Sequence, residues 1–271
     1  LPKIINMHEN PLISVITVVF NGEKHIEQCV QSVVSQTNVD FEYIVIDGNS
    51  KDKTLEIIKK FEKHIDILIS EADEGLYFAM NKGILKSSGK YVYFLNSDDY
   101  FFDSDVLKDI SEFLKTSKAD IVIGLTDVLF QNPNYMKEEK IKFSRKNLRK
   151  GIQPMHSGSF FSRKLILELG LFDTKYKSAA DFDMFCKANV KNVAFENIKR
   201  KIAVFRDGGF SSVSNIGRFE GAEIIKKYFG NFWYLRFYII EKIKVPIKKV
   251  FKKTGLYPFL LKFYKQKVDK R

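Results

Sequence analysis

Between residues 12 and 123 the chain alternates short apolar runs with stretches of helical periodicity. This alternation constrains the fold more than any other feature. Residues 12–20, 41–46, 65–69 and 91–95 are runs of strand length, rich in β-branched and aromatic residues. Between them, Ile26, Val30, Val33 and Val34 mark one face of a helix, and Leu55, Ile58 and Phe61 mark another; residues 76–85 continue the pattern. Strands that alternate with helices in this way build an α/β fold, with a mostly parallel sheet and helices on both faces. After Gly124 the rhythm changes. Residues 127–144 predict a hairpin around Asn132-Pro133-Asn134, 159–162 a short strand, 180–189 a helix and 201–206 another strand. From residue 216 the chain is helical in pattern, with breaks expected near Pro246 and Pro258. The expected organisation is one domain over 1–215 and a helical extension over 216–271.

Charge separates the same two parts. Residues 226–271 hold 14 Lys and Arg against two acids, Glu241 and Asp269. Against chain totals of 45 basic and 33 acidic residues, this leaves 31 of each sign for residues 1–225. The whole surplus of +12 therefore lies in the tail. The tail is also aromatic, with Tyr228, Phe229, Phe232, Trp233, Tyr234, Phe237 and Tyr238 close together. Rings interleaved with lysines suit an anionic membrane surface, with packing on the domain as the plainer alternative and nucleic acid not expected. No run approaches the ~18–20 apolar residues of a membrane span. Residues 1–6 lack the apolar core of a signal peptide. Two cysteines, Cys29 and Cys186, give no disulfide framework and fit a cytoplasmic setting, here with peripheral attachment to the membrane.

Three polar clusters each close an apolar run: Asn21-Gly22, Asp47-Gly48-Asn49-Ser50-Lys51-Asp52, and Asn96-Ser97-Asp98-Asp99. In a parallel sheet all three fall at one edge, outside the carboxyl ends of the strands, where α/β folds bind ligands. Asp98 and Asp99 are adjacent carboxylates, costly to hold together without a cation or water between them. Hard oxygen ligands suit Mg²⁺ or Mn²⁺ carrying a diphosphate. The plainer reading makes Asp98 or Asp99 the cap of a helix that begins near Asp103. Asp47 could accept from the ring N–H of a base, or simply shape a turn. The glycines of a dinucleotide fold or a P-loop do not occur.

These motifs, with Pro11–Glu23, Ser32–Gln36, Ile46–Thr54, Glu71–Gly83 and Phe94–Asp99 in order, resemble the family 2 glycosyltransferases over about residues 12–210. The resemblance implies a GT-A fold and an inverting enzyme using a nucleotide-diphosphate sugar, usually UDP-linked, with Mg²⁺ or Mn²⁺. The subgroup implied builds bacterial capsule, exopolysaccharide or O-antigen repeats on a glycan or lipid-linked acceptor. By resemblance, Thr17, Asn21, Glu23, Asp47 and Asp73 contact the donor nucleotide. Asn96 and Asp98 match the acidic pair that holds ribose and metal, with Asn96 replacing the first acid and Asp99 following as a second metal ligand. Asp181 in Ala180-Asp181-Phe182-Asp183 matches the catalytic base, and the acid that usually precedes it is Ala180. His156, Asp183 and Arg206 are placed beside the acceptor or the diphosphate, with Arg206 opening a glycine-containing loop to Gly209. Two alternatives are a nucleotidyltransferase that makes nucleotide sugars, which lacks its glycine-rich loop here, and a non-catalytic membrane or nucleic-acid adaptor.

Overall fold

The computed structural model describes residues 11–131, 134–139, 144–208 and 216–253. Strand β1 (Ile13–Val19) is buried along its whole length. It pairs in parallel with β2 (Glu42–Asp47) on one side and β4 (Tyr91–Phe94) on the other, and β3 (Ile67–Ser70) extends the parallel array beyond β2. Alternate residues of each strand therefore feed two different cores. Ile13, Val15, Tyr43, Val45, Tyr91 and Tyr93 pack with helices α1 (Ile26–Val34) and α4 (Val106–Thr116). Ile16, Val18, Ile44, Ile46, Val92 and Phe94 pack with α3 (Leu76–Lys86) and α7 (Ala180–Val190). The short helix α2 (Thr54–Lys59) follows β2. α4 starts at Val106, with Asp105 before it making no side-chain cap, so neither Asp98 nor Asp99 caps a helix.

The second half of the sheet is mixed. Among the described residues, nine strands run in the order β3-β2-β1-β4-β8-β6-β9-β5, with β7 paired to β6. Here β5 is Tyr100–Phe101, β6 Ile121–Gln131, β7 Asn134–Glu139, β8 Ser159–Ser162 and β9 Phe195–Arg206. β8 inserts antiparallel between β4 and β6, and β9 runs parallel to β6. β6 and β7 form the expected hairpin, though its turn at Asn132 and Pro133 lies outside the described residues. β9 begins six residues before the expected start at Lys201. Its first half alternates irregularly, with Glu196, Asn197 and Lys199 exposed, so no apolar pattern announces it. Short helices α5 (Arg145–Leu148) and α6 (Arg163–Glu168) flank β8.

The C-terminal region forms α8 (Ile216–Phe229) and α9 (Asn231–Lys253). The chain breaks at Gly230, whose φ of +83° is the left-handed conformation that commonly ends a helix. The break expected near Pro246 does not occur, because α9 runs through it. A proline removes one backbone hydrogen bond and can be absorbed as a bend rather than an end. Pro258 lies outside the described residues. Ile224 and Ile225 of α8 are fully buried, and Trp233 and Phe237 of α9 pack against the same core cluster as α7. α8 and one face of α9 thus pack on the core that contains α7.

Gly83 lets α3 lie directly on β1, since a Cβ there would meet Ile16 Cγ2 at 2.5 Å. Gly83→Ala should lower stability in urea denaturation by about 1–3 kcal/mol through overpacking, with nucleotide affinity unchanged.

Candidate active site

The carboxyl ends of β1, β2 and β4 open on one cleft of about 1460 Å³. Asn21 and Gly22, Gly48, and Asn96, Ser97 and Asp98 contribute one wall, and the 73–79 segment entering α3 contributes a second. The far side is built by Gln153–His156, by the 176–182 segment at the start of α7, and by Arg218, Phe237 and Glu241 of α8 and α9. The three polar strand ends expected to share an edge do share it.

The turns after β1 and β2 are stitched together through backbone groups. Asn21, at φ +50°, accepts from Lys51 N through Oδ1, and its own N–H donates to Ser50 Oγ. Gly22 N–H donates to Thr54 Oγ1, and Lys53 N–H donates to Glu23 Oε2. Three expected donor contacts are used structurally here. Thr17 is fully buried, its hydroxyl accepting from Tyr43 Oη in the core, because it faces the α1 side of β1. Glu23 holds the start of α2 and does not line the cleft. Asp47 is fully buried, and its oxygens accept from the Ser50 N–H and from the Ser50 and Ser70 hydroxyls. Gly48, beside it, lines the cleft, with the Asp73 carboxylate close against it.

Asp98 and Asp99, expected to share a cation, diverge. Asp98 lines the cleft. Asp99 is 1 % exposed and does not; its Oδ1 accepts from Arg206 N–H and its Oδ2 is buried without a donor. Burial, reinforced by the Asp98 charge, pushes the Asp99 carboxyl well above the usual carboxylate range. Consecutive residues project in different directions, so Asp98 faces the cleft and Asp99 turns into the protein. Arg206 clamps the same turn from behind. Its guanidinium donates to the Asp98 carbonyl and to Gln28 Oε1, which places it outside the cleft lining. Gly209, in the loop it opens, lies outside the described residues.

The donor set at the β4 end fits a divalent cation. Asn96 Oδ1 is buried with no hydrogen-bond donor on it, and Asp98 stands two residues away on the same cleft wall. Mg²⁺ needs only one or two protein oxygens when waters and a diphosphate supply the rest. Among the described residues, no group of three or more His, Cys, Asp or Glu side chains is placed to hold a metal.

Asp181 sits in the first turn of α7, 9 % exposed, on the cleft. Gln153 Nε2 donates to its Oδ2 at 2.9 Å, and the Tyr77 hydroxyl is 3.4 Å from its Oδ1. Burial and the Asp181 charge raise the Tyr77 phenol well above its ordinary value, so it stays protonated as a donor. His156 bridges the two walls. Its Nε2 is 3.0 Å from Asn96 Nδ2, and its Nδ1 is 3.9 Å from Asp181 Oδ2. With the amide nitrogen toward the ring, Nε2 accepts and the imidazole proton sits on Nδ1, facing Asp181. Gln153 and Tyr77 escaped sequence reasoning. Tyr77 lay inside a motif already singled out, but Gln153 had only its nearness to His156 as a signal.

Asp183, expected near the acceptor, belongs to a different contact. It is fully buried and is met by Lys187, by Lys227 at 3.0 Å and by the Tyr228 hydroxyl at 2.9 Å. Positions i and i+2 of a helix face apart, so Asp181 and Asp183 cannot serve one site. Burial works against the charged Lys227 amine, but hydrogen bonds to Tyr228 and Asp183 overcome it and raise its pKa.

Residues 14–169 match the sequence profile of Glycosyl transferase family 2. The chain belongs to that family. This transferase is 29 % identical over 177 residues to a PGL/p-HBAD biosynthesis glycosyltransferase of Mycobacterium bovis, covering 64 % of this chain and 68 % of the relative. It is 33 % identical over 193 residues to a glycosyltransferase of Mycobacterium tuberculosis, covering 67 % of this chain and 70 % of the relative. Its GT-A fold is shared with S. aureus TarS, solved in complex with UDP-GlcNAc, at a TM-score of 0.65 and 21 % identity. That match covers 80 % of this chain and 65 % of the TarS fragment, so the chain spans less than two thirds of that neighbour. The mannosyltransferase PcManGT of Pyrobaculum calidifontis, solved with GDP-Man and Mn²⁺, matches at a TM-score of 0.58 and 18 % identity, over 81 % of this chain and 63 % of that one.

Burial lowers the His156 imidazole below its ordinary value, opposed by the Asp181 and Asp98 charges. Between that lowered value and about 6.5, the unfolded chain binds a proton that the folded site resists. Stability should therefore fall as pH drops from about 6.5 toward the folded value. In thermal melts across this range, His156→Gln should have a flatter pH dependence than the parent.

Proposed function

We propose that this transferase moves a sugar from a nucleotide-diphosphate sugar, UDP-linked, to a hydroxyl of a glycan or lipid-linked acceptor in the assembly of a bacterial surface polysaccharide. The observation that carries the reading is the opposition of two groups on one cleft. Asn96 and Asp98 stand at the β4 end, and Asp181 stands on α7 with Gln153 and Tyr77 fixing its carboxylate. The neighbours solved with UDP-GlcNAc, and with GDP-Man and Mn²⁺, support this use of the shared fold.

Asn21, Gly48 and Asp73 line the wall assigned to the nucleotide. Asn96 Oδ1 and Asp98 would hold Mg²⁺ or Mn²⁺, which when bound neutralises charge on the departing diphosphate. Asp181 takes the proton from the acceptor hydroxyl as its oxygen bonds to the anomeric carbon and the bond to the diphosphate oxygen breaks. A single displacement of this kind inverts the anomeric centre and needs no carboxylate nucleophile. His156, between Asn96 and Asp181, ties the donor wall to the base. Lys24 adds a basic group to the cleft for the diphosphate. The acceptor reading draws on the basic aromatic tail, which suits a lipid-diphosphate acceptor held at an anionic membrane. Among the described residues, no helix is long and apolar enough to cross a membrane.

Asp181→Asn is nearly isosteric and should keep UDP affinity while slowing transfer from a UDP-sugar by roughly 10²-fold or more. Near-parental turnover would move the base elsewhere. Asp98→Ala should abolish the Mn²⁺-dependent part of UDP binding, read by calorimetry with and without the metal, without a change in melting temperature. Unaltered metal-dependent affinity would remove Asp98 from the site.

A further inference from the structure

Helix α9 has two apolar faces, and the domain uses only one. Trp233 and Phe237, four residues apart, pack on the core cluster, and Glu241, four further on, lines the cleft with Phe237. Phe237 rests against Gly151, whose φ of +73° and lack of a side chain leave room for the ring, two residues before Gln153. The opposite face stands in solvent. Phe232 is 70 % exposed, Leu235 56 %, Tyr238 39 % and Ile239 47 %. At 3.6 residues per turn these four fall, with the exposed Arg236 and Lys242, on one continuous arc of roughly 160°. An exposed apolar stripe that also carries basic residues suits a helix lying in the headgroup layer of an anionic bilayer, with its rings at headgroup level and its basic groups reaching phosphates. The charge of the sequence agrees, since residues 226–271 hold 14 basic residues against two acidic ones.

We propose that this outer face of α9 is the surface by which the protein docks on an anionic lipid bilayer, with the cleft-lining face of the same helix turned toward the acceptor. The proposal rests on the lipid-linked acceptor reading above and refines it. One helix holds the bilayer on one side and seats the loop that carries Gln153 and His156 on the other. A lipid-borne acceptor then reaches Asp181 without leaving the membrane surface. Attraction to anionic headgroups makes the docking salt-sensitive.

The test compares three forms of the full chain: the parent, the triple variant Phe232→Ser, Leu235→Ser and Ile239→Ser, and the double variant Arg236→Gln and Lys242→Gln. Each is floated with phosphatidylglycerol–phosphatidylcholine vesicles and with pure phosphatidylcholine vesicles, at low and high salt. Melting temperature and UDP binding in Mn²⁺ serve as controls for folding. The parent should bind the anionic vesicles only, and less at high salt. The triple variant should lose about tenfold or more of that binding with both controls unchanged, and the double variant should lose less. Parental vesicle binding by the triple variant would overturn the proposal. So would a parent dimer that the triple variant dissolves without any vesicle binding, because a second copy would then own the face. A parent that binds UDP but no vesicles would remove both this surface and the membrane clause, while leaving the sugar-transfer reading intact. A parent that binds vesicles but no UDP would instead remove the sugar-transfer reading.

Discussion

Everything in this structure depends on the complete burial of β1 between two parallel neighbours. A strand walled by β2 and β4, with helices on both faces, has no place for a charged side chain along its length. Groups free to meet a ligand can appear only where the strands end. Because the three strands are parallel, their ends lie together, and the chemistry of the donor side collects on one edge of the sheet. The buried polar groups that remain within the array are satisfied locally. Glu42 accepts from Ser14 and Ser88, and Asp47 accepts from Ser50 and Ser70.

The far side of the cleft is assembled differently. Its groups come from segments distant in sequence: Tyr77 on α3, Gln153 and His156 before β8, and Asp181 on α7. Each is fixed through another, so the base is oriented by a network rather than by one element. Asp183, half a helical turn away, performs a separate task on the opposite side of α7. There it is buried against Lys187, Lys227 and Tyr228 and fastens α8 to the domain. A buried carboxylate with its partners removed is strongly destabilising, by about 3–5 kcal/mol for a wholly enclosed pair and less here because Lys227 is partly exposed. The part of the tail around Lys227 therefore spends its charge on the fold, while the outer face of α9 keeps its own for solvent.

The strand–helix alternation, the shared edge of the polar strand ends and the charge asymmetry of the tail were all legible in the sequence. They follow from periodicity and composition, which act locally and survive without coordinates. The sequence also placed Asn96, Asp98 and Asp181 by motif, and all three line the cleft. What it could not decide was direction. Thr17, Asp47 and Asp99 are polar, yet each turns into the protein, because alternation along a strand or around a turn sends consecutive side chains to opposite sides. Whether such a residue meets ligand, core or partner helix depends on what packs there. Gln153 on Asp181, Lys227 on Asp183 and the two faces of α9 are contacts across long sequence separations, and no local pattern encodes them. The sequence by itself determined the kind of sheet and the edge where chemistry gathers. Only the tertiary structure decided which carboxylates face the cleft, because that choice is made by the packing partners on either side of each strand and helix.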